Sequence, residues 1–249
     1  MRARTSTRCL TRYRIVGPTL VVDLGGTRRV LSSAPKGGGI GWARFVLNHQ
    51  VISRPDSGNS EGPNDPIHPA RYLIHLAEAL GIRGKSIGLM TAVPMKQLVT
   101  ARACSGSMWV ECFATVGTTN AVRAGEWPEI VDKNKKHSLV AAGTINLILV
   151  TNACLTDAAL VGAVQVATES KTGVLRDHDV ESWTGMSGAT GTGTDATVIA
   201  CRRHGQRPKH QYSGTHTVIG AMIGSVVSRC MKLGLARERR WNRSARLKR

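Results

Sequence analysis

Apolar positions along the chain fall into short runs separated by Gly, Pro, Asn, Asp and Ser, and their spacing alternates between strand-like and helix-like. Leu20 to Asp23 and Arg29 to Ala34 read as two short strands around the turn Gly25-Gly26, after which Pro35-Lys36-Gly37-Gly38-Gly39 forces a loop. Trp42 to Val51 reads as a short helix. Ser53 to Pro69 is rich in turn-forming residues and predicts an exposed loop, ending where Pro69 starts a helix to about Leu80 with Gly81 as its stop. Strand-like runs follow at Ser86 to Ala92, Lys96 to Cys104 and Met108 to Val116, the last two joined as a hairpin by Ser105-Gly106-Ser107. Trp127 to His137 is polar and predicts a surface loop, whereas Thr144 to Thr151 is a continuous apolar run suited to a buried strand. Thr156 or Asp157 caps a helix reaching about Leu175, with Leu160, Val164 and Ala167 facing the core. A Gly/Thr loop from Gly185 to Thr194 leads into a strand at Ala196 to Cys201. The last helix runs from Gly214 to about Leu233 with Ile219, Met222, Ile223, Val226 and Val227 as its apolar stripe. This pattern predicts a single α+β domain in which a mixed or mainly antiparallel sheet is covered by long helices.

Composition supports a core large enough for that domain, with 41% hydrophobic residues in a chain of 249. Aromatic residues make up 4% and glycines number 27, so the core is built of Val, Ile, Leu and Ala, and a base-stacking platform is disfavoured. The formal charge of +18 suggests a nucleic-acid partner until its distribution is considered. Residues 1–14 carry +5 and residues 229–249 carry +8, leaving little for the body of the chain. We therefore expect a basic N-terminal extension over 1–14, one domain over 15–234 and a basic tail over 235–249, both ends solvated and mobile. No specific nucleic-acid partner is expected. Six cysteines without a Cys-x-x-Cys pair indicate neither a zinc knuckle nor a disulfide framework. The run Ile15 to Leu24 is interrupted by Gly17, Pro18 and Asp23, and no run approaches the ~18 apolar residues of a membrane span, so a soluble cytoplasmic protein without a membrane partner is expected.

Three segments place polar groups where an apolar neighbourhood would exclude them. Gly143-Thr144-Ile145-Asn146 opens the buried strand, so its hydroxyl and amide must be either hydrogen-bonded or functional. In Thr168-Glu169-Ser170-Lys171-Thr172, Glu169 shares a helix face with Gln165 and Thr172 while Lys171 points elsewhere. In isolation that face reads more readily as solvated surface. Ala189-Thr190-Gly191-Thr192-Gly193-Thr194-Asp195 offers closely spaced N–H groups and hydroxyls ending in a carboxylate, suited to gripping a polar ligand. Gly37 to Gly41 precedes the helix predicted at Trp42 but lacks Walker spacing, which leaves nucleotide binding there a minor reading. No His-x-x-x-His or His-Glu-x-x-His is present and Asp177-His178-Asp179 reads as a turn, so no metal site is expected, and no ready-made triad is read from the sequence.

In order and spacing these segments resemble the adenosylcobinamide amidohydrolases of cobalamin salvage. The resemblance spans about Val30 to Val227. It is carried by Leu31-Ser32-Ser33-Ala34-Pro35 and its glycines, Ala43-Arg44, Asn48, Gly88-Leu89-Met90-Thr91-Ala92, Gly117 with Asn120, Gly143-Thr144-Ile145-Asn146, Thr168-Glu169-Ser170-Lys171, Ala189 to Asp195 and Tyr212-Ser213-Gly214-Thr215. The chain departs from the family pattern at Ser170 and Ser213, where alanine is common. The resemblance implies hydrolysis of the amide joining aminopropanol to the corrin ring, with the corrinoid as substrate and no cofactor. For that chemistry Glu169 or Asp195 is expected as general base and acid, Thr144, Asn146 and Thr194 as carbonyl or oxyanion donors, and Lys171 as a lesser candidate. A covalent route through Thr144 or Thr194 is open as well. Asn120 and the loops at Gly37, Gly38, Gly39 and Gly191, Thr192, Gly193 are expected to bind substrate. A corrinoid binder without catalysis, or a nucleic-acid binder acting through the basic tails, are the competing readings.

Overall fold

The computed structural model describes residues 4–6, 9–51, 68–127, 143–202 and 209–246. The loops expected at Ser53 to Pro69 and Trp127 to His137 lie almost wholly outside these residues. In chain order the strands are β1 (Arg4–Ser6), β2 (Arg12–Val16), β3 (Thr19–Ser32), β4 (Gly39–Gln50), β5 (Ser86–Thr91), β6 (Val99–Ser105), β7 (Met108–Val116), β8 (Ala121–Val122), β9 (Ile145–Thr151), β10 (Cys154–Leu155), β11 (Gly191–Thr192), β12 (Ala196–Cys201) and β13 (Lys209–His210). Helix α1 spans Pro69–Ala79, α2 Asp157–Asp177 and α3 Val218–Arg246, and one 3-10 turn covers Met95–Gln97.

The architecture is α+β. A nine-stranded mixed sheet runs β1-β6-β7-β9-β12-β3-β4-β5, with β2 paired beside the first half of β3. The pairs β9–β12 and β4–β5 are parallel and the other pairs antiparallel. Its two halves do not lie flat. The register of β3 against β4 shifts between Asp23 and Arg28, a bulge that bends a strand as it adds twist. Beyond the bend, the β2–β5 wing folds back over the central strands. Three strands separate β4 from β7 in the sheet order, yet Asn48 Nδ2 donates to Thr115 Oγ1 at 3.0 Å and Tyr13 meets Phe113 edge to face at 5.2 Å.

Alternation along the strands assigns each layer its contacts. Leu20, Val22, Val46, Ile148, Val150 and Val198 fill the space between the two strand layers. Val21, Phe45 and Leu47 point outward to Ala77 and Leu80, which places α1 on the wing. Ile145, Leu147, Leu149 and Ile199 meet α2 and α3 on the opposite side. Every residue of β9 is buried because it has a packed layer on both faces.

Several expected elements take a different form. The two strands around Gly25-Gly26 are one bent strand, β3. Trp42 to Val51 is not helical but forms most of β4, because its Ala43, Val46 and Leu47 have neighbours on two sheet faces and its backbone pairs with both β3 and β5. Within the basic N-terminal region, β1 pairs with β6 and β2 with β3, and the buried Glu111 accepts from Leu10 N at 2.6 Å and Thr11 N at 3.0 Å. Helix α3 continues past Leu233 to Arg246, burying Leu235 and Glu238. A stretch of Val218–Arg243 has a mean hydropathy of 1.5, as apolar as a membrane span, and 56% of it is buried in the fold.

Candidate functional site

Segments distant in sequence meet where the parallel strands β9 and β12 begin. Asp195, just before β12, is their common anchor. Its Oδ1 accepts from Ile145 N at 2.9 Å and Thr192 Oγ1 at 2.5 Å, and its Oδ2 from Thr192 N at 3.1 Å and Lys171 Nζ at 2.5 Å. Lys171 comes from α2, which Thr156 starts by accepting from Ala159 N. The pair is largely shielded from water, and such a pair is tolerated when further hydrogen bonds satisfy its remaining lone pairs. Gly191 makes the close approach possible: a Cβ there would lie 2.5 Å from Asp195 Oδ2 and 2.7 Å from Lys171 Nζ.

Thr144 Oγ1 and Thr194 Oγ1 stand 2.8 Å apart beside this anchor. The loop leaving β7 lies against the same place, with Gly117 N donating to Thr144 O at 3.1 Å. Gly143 has no space for a side chain, since a Cβ would come 2.6 Å from Thr119 N. Glu238 of α3 clamps this loop, accepting from Thr118 N at 2.7 Å and Thr118 Oγ1 at 2.8 Å.

Two adjoining clefts run along the outer face of α2. One, of about 460 Å³, is lined by Leu31, Ser33, Val164, Gln165, Glu169 and Thr197 among others. The second, of about 370 Å³, lies between α2 and the Tyr212–Thr217 turn, and Gln165 borders both. Thr168 and Thr197, which line the first cleft, lie three residues before Lys171 and two after Asp195, so the same two segments carry the cleft and the anchored pair. The residues where alanine is common in the family pattern tie this wall together: Ser213 Oγ donates to Ala159 O at 2.6 Å and Ser170 Oγ to Gly224 O at 2.8 Å.

The structure thus unites Thr144, Thr194, Asp195, Thr192, Gly191 and Lys171, and places Glu169 in the adjoining cleft. Among the described residues the Glu169 carboxylate has no hydrogen-bonded or ionic partner. Lys171 does diverge from Glu169, and toward Asp195, which no local pattern connects to it. Asn146 lies deeper: Nδ2 donates to Asn48 Oδ1 at 2.9 Å and Met90 O at 2.8 Å, while its Oδ1 and that of Asn120 are buried without a partner. Gly193 is exposed beside the anchor. Gly37, Gly38 and Gly39 form the loop after Ser33, held to β5 by a bridge between Lys36 and Gly88. A strand follows it, which removes the helix N-terminus that nucleotide binding at Gly37 to Gly41 required. Burial lowers the Lys36 pKa, and its ammonium donates to Ser86 O at 2.7 Å and Ser86 Oγ at 2.6 Å.

Sequence reasoning missed Gln165's position between two clefts, the Ser33–Thr197 wall and the Glu238 clamp. Helical spacing pointed to the first, and the other two join residues more than a hundred positions apart. Burial pushes the Cys9 thiol up to about 12 and raises that of Cys201, while a hydrogen bond with the Cys230 thiol, and then burial, raises that of Cys112, so none of these three offers a thiolate nucleophile at neutral pH. Among the described residues no group of three or more His, Cys, Asp or Glu is placed to hold a metal ion.

A family model described as adenosylcobinamide amidohydrolase matches residues 5–243. The chain is 29% identical over 230 residues to the adenosylcobinamide amidohydrolase of Methanosarcina mazei, covering 90% of this chain and 96% of that protein. It is 32% identical over 225 residues to an uncharacterised protein of Methanocaldococcus jannaschii, covering 85% and 83% respectively. A shorter match, 36% over 93 residues, covers 37% of this chain and 36% of the adenosylcobinamide amidohydrolase of Halobacterium salinarum.

Proposed function

Since the chain belongs to the adenosylcobinamide amidohydrolase family, we propose that it hydrolyses the amide joining aminopropanol to a corrin-ring side chain of adenosylcobinamide, releasing aminopropanol and adenosylcobyric acid for reuse in cobalamin assembly. The corrinoid is the substrate and needs no separate cofactor. The observation that carries this reading is the spatial gathering of Thr144, Thr194, Asp195 and Lys171 beside α2, whose neighbouring cleft is lined by Glu169, a carboxylate without a partner among the described residues.

Amide hydrolysis needs an activated water, a stabilised oxyanion and a proton for the leaving nitrogen. Glu169 is the carboxylate free to take a proton from water as the water oxygen bonds to the carbonyl carbon. The same proton then passes to the amine nitrogen as the C–N bond breaks. Asp195 is differently occupied, since four donors already engage its two oxygens. Its role is to hold Lys171, whose ammonium, with the Thr144 and Thr194 hydroxyls, stabilises the developing oxyanion. Asn146 is left out of the oxyanion donors, because its amide nitrogen already donates to Asn48 Oδ1 and Met90 O inside the fold.

Incubation of the purified protein with adenosylcobinamide, followed by assay of aminopropanol, tests the reaction; corrinoid binding with no release under any condition would leave only a binder. Glu169→Gln should reduce turnover by roughly 10²–10⁴-fold while corrinoid binding persists. A folded Glu169→Gln protein with full turnover would remove the base assignment. Mass spectrometry of quenched turnover mixtures checks the covalent alternative, since a corrinoid acyl adduct on Thr144 or Thr194 would replace direct attack by water.

A further inference from the structure

Two loops, one after β8 and one after α2, turn large apolar side chains outward. Trp127 is 91% exposed, Trp183 46% and Met186 47%. Clustered exposure of this kind marks binding surfaces more often than it occurs by default. The loops carrying these side chains are knit into one unit by Glu126. Its Oε1 accepts from Ser182 Oγ at 2.7 Å and Thr184 Oγ1 at 2.6 Å, and its Oε2 from Arg123 N at 2.6 Å. The Arg123 N–H and these hydroxyls hold the Glu126 carboxyl below the usual carboxylate range. Further bonds run from Ala124 N to Thr190 Oγ1 at 2.8 Å and from Trp183 N to Ala121 O at 2.7 Å.

This unit is continuous with the site. Trp183 pairs through its backbone with Ala121, Ala121 is registered against Thr192 in the β8–β11 pair, and Thr192 holds Asp195. Two strand spacings, roughly 10 Å, thus separate the Trp183 backbone from that of Thr192.

We propose that Trp127, Trp183 and Met186 form a platform for the apolar face of the corrin ring, while one peripheral amide side chain reaches the Lys171–Asp195 pair. The proposal rests on the corrinoid reading of the site. A cleft of about 460 Å³ suits a drug-sized ligand, and a corrinoid carrying an adenosyl group is larger, so much of the ring must rest outside it. The macrocycle presents an apolar face with amides around its edge. The platform matches that division, with aromatic and thioether groups surrounded by the Ser182 and Thr184 hydroxyls, the Glu126 carboxylate and the Arg123 guanidinium. Its cross-links fix it before binding, which lowers the ordering cost of association.

The intact protein is titrated with adenosylcobinamide, reading tryptophan quenching and equilibrium dialysis, for wild type and for Trp127→Ala, Trp183→Ala and the double variant. Each single change should raise Kd at least tenfold, with kcat at saturation within threefold of wild type. Phe at either position should recover much of the affinity. Trp241→Ala, on α3 beneath Lys96, should bind as wild type does. Alanine variants that bind as tightly as wild type overturn the platform. So do variants that alter self-association in sedimentation without changing Kd, because the face would then be a contact between copies of this chain. Wild type that binds in a Trp127- and Trp183-dependent way but releases no aminopropanol keeps the platform and sinks the hydrolase reading. Hydrolysis with tryptophan-independent affinity does the reverse, and no binding at all overturns both.

Discussion

At the scale of single residues, Gly191 tests whether the anchored pair matters. Its missing Cβ leaves room for the 2.5 Å approach of Lys171 to Asp195, so Gly191→Ala must push the two apart. Turnover is expected to fall at least tenfold while circular dichroism and corrinoid binding stay near wild type. Unchanged kcat would separate the pair from catalysis. His49 offers a pH test elsewhere in the fold. Its buried ring is bonded to Thr19 Oγ1 and Tyr72 OH, both at 2.8 Å, and burial lowers its pKa below the ordinary value of about 6.5. Below 6.5 the unfolded chain binds the proton first, so stability falls as pH drops from 6.5 toward the lowered folded value and then levels off. Urea unfolding between pH 7.5 and 5 should show this loss, and His49→Gln should flatten it. An equal slope in the variant would assign the loss to another group.

Among the elements, α3 departs furthest from its expected role. Arg237-Glu238-Arg239-Arg240 reads as surface and predicts a solvated tail, yet Glu238 is 8% exposed and Gly234 packs where a Cβ would strike Val116 at 2.5 Å. The helix thus carries a clamp to the loop beside Thr144. Glu238→Ala removes two hydrogen bonds to a charged acceptor and should destabilise the protein by about 1.5–3 kcal/mol, measured by denaturant titration. Glu238→Gln, which retains an acceptor for Thr118 N, should recover part of that loss. Equal stability of Glu238→Ala and wild type would mean the clamp contributes nothing. The strand β4 illustrates the opposite error. Its Trp42 to Val51 stretch fits a helix by local spacing, and only the neighbours β3 and β5 make it a strand.

For the whole molecule, the basic N-terminus belongs to the sheet. Deleting residues 1–11 would remove β1 and the two backbone N–H groups that bond Glu111, leaving that fully buried carboxylate with the more distant Arg102 at 3.6 Å. A loss of about 3 kcal/mol is expected, or roughly 6–12 °C in Tm. A truncated protein melting with the full chain would show that this strand is dispensable. The positive charge of the ends is consistent with this placement, since β2 pairs through its backbone while Arg12 and Arg14 face solvent.

Periodicity, turn residues and caps determined the α+β class, the buried β9, the β6–β7 hairpin, the start of α2 at Thr156 and the polar segments around Thr144, Glu169 and Asp195, because each depends on contacts within a few residues. Tertiary structure alone decided the fold-back of β2–β5 over the central strands, the helical continuation of α3, the reassignment of Asn146 to the interior and the meeting of Lys171 with Asp195. Those depend on which distant groups share a buried space. There an unpaired charge or N–H is costly, so the partner is chosen by the packed fold and leaves no spacing for local reading to detect.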